Sequence, residues 1–252
     1  MSRFWHTEPL VGFDIESTGI NPESDRIVTA AVLRVGPQRS DNAEDNAIRW
    51  KAVDRYGWVA DPGVEIPEAA AAVHGITTER ARMIGRSARR VVQEIAITLA
   101  EHVDEGTPIV TMNAPYDFTM LDRELRRHGH PTLAELAGRE PIVVDPLVLD
   151  RQVDRYRRGK RNLGALSEHY GVRLDGAHEA AADALAAVRV SVEIATRYPA
   201  VRETPLAELH VLQQGWARKQ ADGLREYLAA RGRDASGVHG HWPLIPRQGV
   251  AK

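Results

Sequence analysis

The chain has 252 residues, 43% of them hydrophobic and 27% charged, which suits one domain of ordinary size with an appendage and excludes disorder throughout. It has no cysteine, so disulfides and thiolate metal sites are excluded, and its net charge of −2 is no nucleic-acid signature by itself. No apolar run approaches membrane-spanning length and the first residues carry no apolar signal segment, so a cytoplasmic protein with no membrane partner is expected.

The first strand is predicted over residues 10–15, running into Phe13-Asp14-Ile15-Glu16-Ser17-Thr18-Gly19. Side chains two apart in a strand share a face, so Asp14 and Glu16 point together while Phe13 and Ile15 turn to the core. A second strand is expected over 27–35, a polar loop over 36–46 and a third strand over 48–60. Next comes a basic stretch holding Arg80, Arg82, Arg86, Arg89 and Arg90, which reads at least as well as a solvated helix face as it does as a phosphate-binding one.

A short buried strand over 109–111 leads into Met112-Asn113-Ala114-Pro115-Tyr116-Asp117. Asn113 is a plausible helix N-cap, Pro115 lies in the first turn, and Phe118, Leu121 and Leu125 form a helical stripe. A strand over 142–144 follows. A second basic cluster of Arg151, Arg155, Arg157, Arg158, Lys160 and Arg161 then leans toward substrate contact, because it lies between two site-flanking segments. A helix over 180–192 carries Asp183. His178, five residues earlier, would sit about 140° away around an ideal helix, so it must lie on the preceding loop to meet Asp183. Residues 205–231 read as one amphipathic helix packed on the core, with partner binding or dimerisation as the sharper alternative. The Gly- and Pro-rich tail, 232–252, is expected to be mobile, and His239 and His241 have no acids nearby to make them metal ligands.

Taken singly, each feature has a plainer reading: solvated acids on an edge strand, an acid in a helix's first turn, a solvated or capping histidine. Together they put carboxylates at strand ends and helix starts, which is what a divalent-cation site for phosphoryl transfer requires.

In their order and spacing the three clusters resemble exonuclease motifs I, II and III of the DEDD superfamily, and the histidine five positions before Asp183 marks its DEDDh branch. The chain is similar to bacterial 3′–5′ exonucleases of the DNA polymerase III epsilon (proofreading) type over about residues 8–198. Supporting stretches are Val73-His74-Gly75-Ile76-Thr77, Val144-Asp145-Pro146-Leu147 and Asn162-Leu163-Gly164-Ala165-Leu166. The resemblance implies an α/β, ribonuclease H-like mixed β-sheet flanked by helices over 1–198, with a C-terminal helix and flexible tail over 199–252. It also implies two divalent ions, Mg²⁺ or Mn²⁺. Asp14 would bridge them, Glu16 and Asp183 would complete one site, Asp117 would serve the other, and His178 would take the proton of the attacking water. Ser17, Thr18, His74, Gly75, Ile76, Met112, Asn113 and Tyr116 would line the pocket for the terminal nucleotide. Met112 and Tyr116 depart from the His and Phe frequent in the family.

The expected activity is release of nucleoside monophosphates from DNA 3′ ends in proofreading or repair. The alternatives are an exoribonuclease and a non-catalytic nucleic-acid or polymerase-binding module. The intact acids and histidine argue against the last. A polymerase would have to come as a partner chain, docked through the C-terminal helix.

Overall fold

A computed structural model describes residues 4–39 and 48–247. Three long strands, β1 (Leu10–Ser17), β2 (Ile27–Arg39) and β3 (Ile48–Asp61), form an antiparallel meander. Helices α1 (Glu68–His74) and α2 (Thr78–Ile84) follow, and then the two-residue strand β4 (Arg86–Ser87), parallel to β3. The rest alternates helix and short strand: α3 (Ala88–Asp104), β5 (Ile109–Val110), α4 (Ala114–Arg127), α5 (Leu133–Ala137) and β6 (Val143–Val144). Then come α6 (Pro146–Val153), α7 (Leu163–Tyr170), α8 (Ala180–Arg197), α9 (Pro199–Arg202) and α10 (Leu206–Ala229). The sheet order is β4-β3-β2-β1-β5-β6, with β5 parallel to both β1 and β6. This is the mixed α/β sheet flanked by helices expected from the strand pattern.

Each sheet face buries its own apolar layer. Phe13 and Ile15 join Val91, Ile95 and Leu99 of α3 and Phe118 of α4, with the Phe13 and Phe118 rings edge to face at 6.0 Å. On the other face, Leu10 and Leu33 join Val188 and Val192 of α8 and Leu166 of α7. The period-2 pattern of β1 thus divides its side chains between the two layers, and the acids fall on the α8 side.

Several expectations need correction. Residues 36–39 are strand rather than loop, with Pro37 opposite Trp50; the rest of the expected loop lies outside the described residues. In the second basic cluster, Arg157 and Arg161 turn inward. Both donate to the fully buried carboxylate of Asp150, which Tyr170 Oη also reaches at 2.9 Å. In the first, Arg86 and Arg90 pair with Glu94, which also accepts from Trp58 Nε1.

The C-terminal tail differs from the expected mobile segment through residue 247. Trp242 is 6% exposed and enters the α3-side core. Its Nε1 donates to Asp145 at 3.1 Å, Ile245 N donates to Thr119 Oγ1 at 3.0 Å, and Arg123 donates to the Ile245 carbonyl. One indole with a buried acceptor outweighs the looseness of its Gly- and Pro-rich surroundings. Helix α10 packs through Leu209 and Gln213, both fully buried.

Candidate active site

Asp14 and Glu16 project from β1 toward α8. The approach of that helix is set by Gly12, two residues earlier on the same face. A Cβ added there would lie 2.7 Å from the Ala184 carbonyl oxygen. Only glycine lets α8 come this close, and Asp183, the neighbour of Ala184, is thereby carried beside β1. Asp117, 2% exposed in the first turn of α4, accepts the Ile15 backbone N–H at 3.1 Å, a bond across 102 residues that fixes α4 against the strand.

His178 precedes α8 on the loop, as the helix geometry requires. Its φ of 68° is left-handed, which turns the chain so that its N–H donates to Asp183 Oδ2 at 3.3 Å. Ligand atoms of Glu16, His178 and Asp183 all lie within 4.8 Å of one another.

Electrostatics tie Asp14 and Asp117 to this group. Burial first, and then the charges of Asp117, Asp183 and Glu16, hold the Asp14 carboxyl well above the ordinary carboxylate range. Burial and Asp183 raise Glu16 to about 7. Burial raises Asp117 well above its ordinary value too, against the hydrogen bond from the Ile15 N–H. Asp183 is raised chiefly by burial. Asp14 Oδ2 and Asp183 Oδ1 are buried without a hydrogen-bond partner. Converging acids with unsatisfied buried oxygens fit hard divalent cations, which would supply the missing positive charge.

The nucleotide-pocket residues behave differently from one another. Ser17 Oγ and Tyr116 Oη share a hydrogen bond, linking motif I to motif II, and burial pushes the Tyr116 phenol up to about 12. Thr18 is drawn into its own turn, accepting from Arg26 N at 3.0 Å and donating to Asp25 at 3.2 Å. His74 ends α1, Gly75 caps it at φ 75°, and Ile76 N donates to His74 Nδ1 at 3.2 Å. His74, Gly75, Ile76 and His178 line one groove together with Ala31 and Gly57. Met112 packs into the α8-side core. Asn113 occupies the N-cap position but at φ 64°, and its side chain makes no capping bond.

That capping falls to Asp145, which the sequence singles out only as part of a supporting stretch and not as a cap. Asp145, fully buried, accepts Asn113 N at 3.1 Å, Ala114 N at 3.0 Å, Leu147 N at 2.9 Å and Trp242 Nε1. Its signal was present, an Asp directly before Pro146, the pattern of an N-cap with proline at N1.

Residues 11–191 match the RNase T family, described as exonuclease. A PolC-type DNA polymerase III from Lacticaseibacillus paracasei is 28% identical over 174 residues, 69% of this chain and 10% of that one. Its counterpart in Staphylococcus aureus is 24% identical over 221 residues, 88% of this chain and 13% of that one. The chain thus spans only a small part of these polymerases. Escherichia coli exonuclease I in complex with a dT13 oligonucleotide superimposes with a TM-score of 0.55 at 19% identity, over 78% of this chain and 43% of that one. A zinc-bound form of the same enzyme with single-stranded DNA gives 0.54 at 19% identity, over 77% and 41%. These neighbours share the ribonuclease H-like fold.

Proposed function

Because the chain belongs to the RNase T family of exonucleases, of the DEDD 3′–5′ type, we propose that it hydrolyses DNA from the 3′ end and releases nucleoside 5′-monophosphates. The observation that carries this reading is the convergence of Glu16, His178 and Asp183 within 4.8 Å beside Asp14, whose Oδ2 is buried and unpartnered.

Asp14, Glu16, Asp117 and Asp183 would hold two divalent ions, Mg²⁺ or Mn²⁺. Such ions neutralise phosphate charge and make water nucleophilic at neutral pH. The imidazole of His178, exposed and tethered through its backbone to Asp183, accepts the proton of the attacking water. Water adds to phosphorus, the bond to the 3′ oxygen of the preceding nucleotide breaks, and that oxygen takes a proton from solvent. Tyr116, kept protonated, and Ser17 hold the motif I turn where the terminal nucleotide enters. Ile76 offers an apolar surface to its base beside His74. Without bound cations the acids would repel the phosphodiester.

The similarity to polymerases favours trimming of 3′ ends during DNA synthesis, in the cytoplasm. The exposed Val211 and Tyr227 on α10 would suit a polymerase or other protein partner. No helix among the described residues is long and apolar enough to cross a membrane.

The test is incubation with 5′-labelled single-stranded DNA in Mg²⁺, Mn²⁺ or EDTA. Metal-dependent 3′-end shortening is expected, with the rate of His178→Gln reduced by about 100-fold or more. Cleavage in EDTA, or wild-type turnover by His178→Gln, would contradict the assignment.

A further inference from the structure

The C-terminal segment that returns to the core leaves a cleft between itself, α6 and the start of α4. Its polar lining is Asn113, Asp145, Arg151, Gln220, His239 and His241, and Trp242 lines it as well. Leu147, Val148 and Leu224 give it an apolar wall. None of α10 or the tail falls within the family match, so one side of this cleft lies outside the matched region, while Asn113, Asp145 and Arg151 on its other side lie within it. Its position is nonetheless tied to the catalytic centre. Asn113 lies four residues, roughly 6 Å of helix rise, before Asp117. The Asp145 carboxylate that receives Trp242 also holds the Asn113 and Ala114 N–H groups.

The cleft carries a guanidinium whose N–H donors are unused. Arg151, in the last turn of α6, makes no hydrogen bond or ion pair among the described residues. The two nearby acids are already used. Asp145 accepts four N–H donors, and Asp150 accepts from Arg157, Arg161 and Tyr170. Asp145 is also the single acid in the lining. Burial depresses the Arg151 pKa and the charge of Arg161 adds to this, while the charges of Asp145 and Asp150 offset only part of it.

Resting on the exonuclease reading, we propose that this cleft is a subsite for the DNA strand 5′ of the scissile bond. Arg151 contacts a backbone phosphate there, and the apolar wall takes a base or sugar. An unpaired guanidinium beside an apolar wall matches an anion carried on a flat, largely apolar group. His239 and His241 find a role in this setting as donors at the rim rather than as metal ligands.

The experiment compares wild type, Arg151→Gln and Arg151→Lys in Mn²⁺ on a twelve-nucleotide single-stranded DNA and on the p-nitrophenyl ester of thymidine 5′-monophosphate, which is too short to reach the cleft. For Arg151→Gln, KM on the oligonucleotide should rise about threefold to tenfold more than KM on the ester, and the salt dependence of binding should flatten by about one charge. Arg151→Lys should recover part of the loss. Equal effects on both substrates, or none on either, would overturn the subsite while leaving the exonuclease reading intact. Failure of the wild type on both substrates would overturn that reading and the subsite with it.

Discussion

Two groups of carboxylates, one fully buried and the other partly buried, are treated in opposite ways. Asp145 and Asp150 are each fully buried and saturated, the first by four N–H groups and the second by two guanidinium groups and a phenol. Asp14, Glu16 and Asp183 are instead surrounded by one another. Two of their oxygens have no partner, and mutual repulsion adds to burial in raising Asp14 and Glu16. The same side chain therefore serves as a structural anchor where donors converge on it and as a cation ligand where only other acids do. Residue type does not separate these roles; the inventory of donors does.

The contrast breaks most sharply in opposite mutations. Asp150→Ala leaves Arg157 and Arg161 half-buried without their acceptor and should cost about 3–5 kcal/mol in denaturant unfolding. Asp14→Asn removes a repelled charge, so it should leave the metal-free protein no less stable, while activity falls by more than about 100-fold. Stability loss in the second variant as large as in the first would erase the distinction.

A smaller effect is expected where the two sheet faces meet. Gly12→Ala places a methyl group 2.7 Å from the Ala184 carbonyl. Pushing α8 away should cost about 1–3 kcal/mol of stability and, because Asp183 travels with the helix, weaken cation binding as well. A thermal melt and a cation titration on the same variant would check both. Smallest is Trp242→Phe, which keeps most of the bulk but removes one donor from Asp145; about 1 kcal/mol is expected in the same unfolding assay.

Much of this was legible in local sequence. Alternation in β1 separated Asp14 and Glu16 from Phe13 and Ile15, and the helical angle required His178 to sit on the loop before α8, where it lies. The mixed sheet followed from the order of strands and helices. What stayed hidden depends on contacts between distant residues. Gly12 looks like any strand glycine until α8 lies across it. Arg157 and Arg161 read as surface charges until Asp150 is buried beneath them. Trp242 acquires its meaning only from an acceptor 97 residues away. Asn113 occupies the N-cap, yet a more distant carboxylate performs the capping, because at φ 64° its own side chain does not reach.

The central claim is that the acids around Asp14 form a cation site whose charge destabilises the empty protein. Glu16 holds its proton up to about pH 7 in the fold against an ordinary value of 4.5. Unfolding then releases that proton, so its favourable contribution is full below about pH 4.5 and fades as the pH rises through about 7. Thermal melts of wild type and Asp14→Asn, in EDTA and in Mn²⁺, between pH 5 and 8.5, test this directly. The account predicts a wild-type Tm in EDTA that falls with rising pH, a rise on adding Mn²⁺ that is largest above pH 7, and a much smaller rise in Asp14→Asn. Equal Mn²⁺ responses in the two proteins, or none in wild type, would contradict it.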